Sequence, residues 1–208
     1  MMKILKNNIL ILIAVFVSFF SYAQEKKEYY PDGKLKAEGM LLNGMKDGLW
    51  KYYYPDGKLM AEEQMTEGLQ NGILKSYDFN GKLKLMENWV MGAQEDSSFE
   101  YHSNGQLKRK GVYRNGLYEG VWLSFYDNGK LKNKGQYVNG NPEGVWHFYR
   151  NDGSLEHEAT YKNGMKEGPG KLFDEKGQLE SEGNFVNGEM AGEWKVYKNG
   201  KFKKTVKY

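Results

Sequence analysis

Three histidines, His102, His147 and His157, could titrate near neutral pH or bind a metal. A zinc-type site needs three or four converging ligands. These three occupy different columns of a repeating pattern, so the sequence gives them no reason to meet, and they read as surface or edge-strand residues. The chain has no Cys, hence no thiolate nucleophile and no disulfide. No Ser lies in a Gly-x-Ser-x-Gly context, and Ser97 and Ser98 fall in a degenerate turn. The Gly-rich segments lack the Lys-Ser/Thr and following helix of a phosphate loop. Acids recur once per unit, at Asp47, Glu95, Glu119, Glu143 and Glu167. Paired carboxylates do acid–base work, but a regular ladder reads as a solvated rim. Lys34, Lys58, Lys82 and Lys130 form a partial basic column that could meet anionic headgroups. Acids flank it, so it too reads as a solvated face. No catalytic residue, cofactor or metal ligand is assigned, and the chain reads as a non-enzyme.

The elements that position these residues are repeats. The stretch Tyr101 to Ser124 shows the unit: aromatic-x-x-Asn-Gly-x-Leu, then Gly-x-aromatic-x-Asn-Gly, then x-x-x-Gly-x-Trp. The first turn glycines, Gly33, Gly57, Gly81, Gly105, Gly129, Gly153 and Gly177, recur every 24 residues without insertion. Leu35, Leu59, Leu83, Leu107, Leu131, Leu155 and Leu179 keep the same step. Repetition at a fixed period marks an array of stacked supersecondary units.

Each column has a physical reading. Pro31-Asp32-Gly33 and its equivalents describe a type I turn with a bulge, closed by a glycine at positive φ. Apolar positions then alternate, as in Leu35, Ala37, Gly39 and Leu41, which is a strand with one buried face. Asn-Gly follows in five units, a second hairpin signal. The expected fold is all-β: an elongated antiparallel β-hairpin meander of seven 24-residue repeats plus a partial C-terminal unit, roughly 14 strands in all. Glycine inside a strand (Gly39, Gly111, Gly135, Gly183) occurs only in units that carry Trp50, Trp122, Trp146 or Trp194. Units two, three and six have Glu63, Glu87 and Ala159 with Leu74, Ser98 and Gly170 instead. The covariation predicts an indole lying over the backbone that Gly leaves bare, within about 6 Å.

Composition agrees with many short strands. The chain holds 26 Gly, 31 aromatics and four Pro among 208 residues. Residues 1–23 read as a signal peptide: Lys3 and Lys6, an apolar run from Ile9 to Phe20, and small residues before a cut at Gln24. Residues 24–28 then form a short lead, and 29–208 the repeat domain. The expected location is exported, periplasmic or extracellular. Without Lys3 and Lys6 the charge falls to +1, from 28 basic and 27 acidic side chains. There is no concentrated basic stripe for nucleic acid.

Asp32-Gly33, Leu35, Glu38-Gly39, Asn43-Gly44, Gly48, Trp50 and Tyr52-Tyr53 together resemble the MORN repeat, in the variant form of the bacterial YwqK-type antitoxin-like proteins. The resemblance covers about Tyr29 to Tyr208. It implies a β-hairpin array and a non-catalytic role in recognition, by protein or membrane contact.

The aromatics are the functional candidates. In Tyr52-Tyr53-Tyr54, Phe125-Tyr126 and Phe148-Tyr149, one ring faces the core and another faces out, although cross-strand packing could consume both. Unit three, Tyr77 to Glu100, departs most from the pattern, with Asp96 for Gly, Ser98 for Trp and Trp89 in the aromatic column. The proposed interaction surface is Tyr54, Tyr126, Trp89 and Phe99. The expected partner is a protein; a glycan or lipid surface met by exposed aromatics and Lys rows is the alternative. The Lys-rich end, Lys198 to Tyr208, reads as an edge-strand cap.

Overall fold

The computed structural model describes residues 22–208. The expected leader therefore lies outside the described residues, apart from Tyr22 and Ala23. The described chain forms one open antiparallel sheet whose strands follow chain order from first to last. The strands are β1 (Ala23–Tyr29), β2 (Leu35–Leu42), β3 (Met45–Tyr53), β4 (Leu59–Thr66), β5 (Leu69–Tyr77) and β6 (Leu83–Val90). Then come β7 (Ala93–Tyr101), β8 (Leu107–Arg114), β9 (Leu117–Phe125), β10 (Leu131–Val138) and β11 (Asn141–Tyr149). The series closes with β12 (Leu155–Lys162), β13 (Met165–Phe173), β14 (Leu179–Val186), β15 (Glu189–Lys198) and β16 (Lys201–Lys207).

The expected meander is present, with 16 strands where 14 were expected. The two extra ones are terminal. Residues 24–28, expected as a lead, lie within β1, where Ala23 pairs with Leu42 and Glu28 with Ala37. The Lys-rich end forms β16, folded back on β15 with Trp194 opposite Val206.

Two turn types alternate, as the sequence predicts. At the first edge, Gly33 has φ +82 and its N–H donates to Tyr30 O at 2.9 Å, while Asp32 Oδ1 accepts from Lys34 N–H. At the other edge, Asn43 and Gly44 both have positive φ, 52° and 81°, which makes a type I′ turn. Asn tolerates this region through its short polar side chain. Met91 occupies the same place with φ 47°, a costly conformation for a long side chain.

Alternation gives the sheet two unlike faces. One, the aromatic face, holds the core: Trp50, Trp122, Trp146 and Trp194 are almost fully buried although no second layer of the described residues covers them. Each indole lies flat across the glycine of the preceding strand. A Cβ built on Gly39, Gly111, Gly135 or Gly183 would overlap the six-membered ring. Each indole Nε1–H donates to the carbonyl just after that glycine, on Met40, Val112, Gln136 and Asn184, at 3.0–3.2 Å. The Gly–Trp covariation is therefore a physical contact. In unit six the space is filled differently: Ala159 faces Gly170, and the Phe185 ring lies over Gly170. Each indole removes on the order of 200 Å² from water, or roughly 5 kcal/mol of gross burial.

Candidate functional site

Three sets of inter-repeat contacts decide which side chains remain free. The first lies at the edge of the Asx-Gly turns. At five of the seven turns the residue just before the turn reaches 23 positions forward to a backbone carbonyl, while Asp78 and Asp174 accept from their own turns. Tyr30, Tyr54 and Tyr126 donate their hydroxyls to Tyr53 O, Tyr77 O and Tyr149 O at 2.7–2.8 Å. His102 Nε2 contacts Phe125 O at 2.9 Å. Arg150 serves three carbonyls, those of Leu155, Asp174 and Phe173. Arg150→Ala is expected to cost about 2 kcal/mol and Tyr126→Phe about 1 kcal/mol in urea unfolding, since each leaves carbonyls without donors.

The second set lies at the opposite edge. Glu95, Glu119, Glu143 and Glu167 each accept from the backbone N–H of the turn Asn 20 residues on, at 2.8–3.0 Å. The acidic column, expected as a solvated rim, is half-buried and clamps neighbouring hairpins. The third set uses lysines. Lys58, Lys82 and Lys130 place Nζ on carbonyls of the next turn, those of Phe79, Ser103 and Asp152.

The aromatic face carries an outer row in which Trp89, Tyr113, Tyr118, Tyr137 and Tyr161 follow one another across the sheet, with Gln94 and Pro142 between. Tyr118 stacks on Tyr113 and on Tyr137, both at 4.9 Å between centroids. Burial, and then Tyr118, raises the Tyr113 phenol above its ordinary range. Arg109 donates to Tyr118 Oη at 3.0 Å and lies 3.4 Å from Glu100.

Where units two and three lack the Gly–Trp pair, the same face holds Glu63 and Glu87. Glu63 accepts from Tyr52 and from Gln70 at 2.7 Å. Glu87 is buried and accepts from Gln94 at 2.9 Å. The Trp89 indole N–H nearby is buried without a partner. His157 stacks on Phe148 at 4.2 Å and 11°. Burial, and then Lys166, holds its imidazole below the usual histidine value. An unfolded His157 then binds protons more readily than the folded one, so stability falls as pH drops through the window below about 6.5. Urea midpoints of the native chain and His157→Asn are expected to converge as pH falls from about 7.5 to 5.

The opposite face is built on charge. One row runs across it in register: Lys27, Glu38, Lys51, Glu62, Lys75, Met86, Phe99, Lys110, Leu123, Lys134, His147, Glu158, Lys171, Glu182 and Lys195. Opposite charges alternate at both ends, as favourable cross-strand pairs do. Glu158 lies between His147 at 3.3 Å and Lys171 at 3.8 Å. The ladder breaks in the middle, at Met86, Phe99 and Leu123. Beside it runs a second row whose aliphatic members stay exposed: Met40, Leu49, Ile73, Val112, Val121 and Val145.

The four residues proposed as an interaction surface do not share one. Tyr54 and Tyr126 are half-buried at the turn edge with their hydroxyls engaged, and Tyr54 also stacks on Phe79 at 4.2 Å. Trp89 lies on the aromatic face, opposite Gln94, and Phe99 on the ladder face, opposite Met86. The ladder face itself escapes a reading by columns. Its order appears only when charges are followed from Glu38 to Lys51 to Glu62, across alternating hairpins.

Comparison with known families gives seven matches to the model described as MORN repeat variant, at residues 25–43, 46–66, 70–90, 97–115, 118–139, 142–163 and 166–187. Together they span more than half of the chain, and each contains one Asx-Gly hairpin or its equivalent. No curated protein matches the chain.

Proposed function

Because the chain belongs to the MORN repeat family, whose repeats generally serve as protein- or membrane-binding modules, we propose that it is an exported, non-enzymatic scaffold that recognises a protein. Export is read from the signal-peptide pattern of residues 1–23. The motif also resembles that of the antitoxin-like variant.

One observation carries the choice of partner. Among the described residues no layer packs on the ladder face, yet it exposes a line of aliphatic side chains beside a charge row interrupted by Met86, Phe99 and Leu123. An apolar centre rimmed by charge is the anatomy of a protein interface. The other surfaces offer less. A sugar needs a free ring face, and Tyr113, Tyr118 and Tyr137 cover one another's faces. In the Lys column, Lys58, Lys82 and Lys130 spend their ammonium groups on neighbouring turns, and Lys34 pairs with Asp32.

The test compares the native chain with Phe99→Lys as baits in the same cell-envelope extract. One stoichiometric protein, retained by the native chain and lost with the variant, is the expected result. Equal retention by both, or binding to glycan or anionic vesicles without any protein, would overturn the reading.

A further inference from the structure

The charge row on the ladder face is complementary to itself. In its outer parts the odd-numbered strands carry Lys (Lys51 on β3, Lys75 on β5, Lys171 on β13, Lys195 on β15) and the even-numbered strands carry Glu (Glu38, Glu62, Glu158, Glu182). The number of strands, 16, is even. Consider a two-fold axis lying in an interface, parallel to the strands and passing between β8 and β9. It lays two copies face to face with the strand order reversed, so β5 covers β12 and β4 covers β13. Every odd strand then meets an even one, and rows stay at the same height.

The resulting pairs are Lys75 with Glu158, Glu62 with Lys171, Lys51 with Glu182 and Glu38 with Lys195, each formed twice. No like charges meet anywhere along the row. The centre fits as well. Phe99 meets Lys134 and Leu123 meets Lys110, where an aliphatic stem can lie on an apolar side chain while the ammonium reaches out. In the adjacent row Val112 meets Val121. Rotation about the long axis of the sheet instead sets each strand on its own copy, and Lys on Lys.

We infer that the ladder face docks a second copy of this chain, with reversed strand order. The inference rests on the reading of this face as a protein-binding surface and names its occupant. An isologous contact of this kind is the commonest form of homo-oligomer. The charge pattern selects the reversed arrangement, because rotation about the long axis, or a shift by one strand, brings Lys onto Lys. The aliphatic row and the break in the ladder supply the apolar centre that a stable interface of about 800 Å² per partner needs.

Sedimentation velocity of the purified chain over a concentration series tests this, with circular dichroism confirming that each variant is folded. The native chain is expected to dimerise. Lys75→Glu and Glu158→Lys are each expected to weaken the dimer about tenfold or more, since each creates two like-charge contacts. An equimolar mixture of the two variants is expected to recover the native affinity, because each substituted position then faces an opposite charge in the other chain. A native chain that stays monomeric at every concentration overturns the inference, as does a mixture no tighter than its components. Either outcome leaves the choice between a protein and a non-protein partner to the extract experiment with Phe99→Lys.

Discussion

Gly111→Ala is expected to destabilise the chain by about 3–4 kcal/mol, near the top of the range for a single added methyl. The cause is local and specific. The new Cβ would occupy the space of the Trp122 six-membered ring. The ring has nowhere to go: Trp122 is 3 % exposed, and Tyr113 and Tyr118 stand edge-on to it at 5.1 and 4.5 Å. Its N–H is held by Val112 O at 3.0 Å, so displacement also breaks a hydrogen bond worth about 1 kcal/mol. Trp122→Leu alone is expected to cost about 3 kcal/mol through the cavity it opens. In combination the two changes relieve each other, because a smaller side chain leaves room for the methyl. The double variant is expected to be at least about 1 kcal/mol more stable than the sum of the single losses predicts. Strictly additive losses in urea unfolding would contradict the contact.

Deleting residues 101–124 is expected to leave the array intact, whereas deleting 101–123 is expected to break it at the junction. The first deletion joins Glu100 to Phe125, which stands 24 residues after Tyr101 in the same column. Every later strand then meets its new neighbour in the register it already uses. The array loses one hairpin's worth of burial, as expected for a quasi-one-dimensional stack. Its melting point should stay within about 5 °C of the parent. The second deletion leaves one extra residue in the joined strand. A slip of one residue exchanges the two faces. Aromatic side chains after the junction would be sent to the ladder face and Lys or Glu to the indole row. Two separate transitions, or a fall of more than about 10 °C, are expected in thermal melts followed by circular dichroism.

These two outcomes also mark what a single sequence makes legible. The turns were readable because backbone geometry restricts them to few residue types. Asn43-Gly44 needs two positive φ angles, and Gly33 needs one. The Gly–Trp contact was readable because large and small residues vary together between units. The turn-edge staples were not, because the position accepts any long donor. Tyr54, His102, Tyr126 and Arg150 have no chemistry in common except reach to a carbonyl. Tyr54 and Tyr126 therefore read as free rings, although their hydroxyls hold the next repeat. The acidic column is legible as a column but not as a clamp, because its partners are backbone N–H groups. Phe99 drew attention as part of a unit that departs from the pattern. Its significance is that it interrupts a charge ladder visible only across the sheet.

Those contacts turn the aromatic face and both turn edges inward, toward the stability of the array. The ladder face is the surface left for recognition. The most direct measurement places a photoreactive residue at Val121 on the ladder face and, separately, at Tyr118 on the aromatic face, in otherwise native chains. Adducts to protein from position 121, to a second copy through Val112 or to another partner, with little from position 118, are expected. Adducts confined to position 118 would contradict recognition through the ladder face.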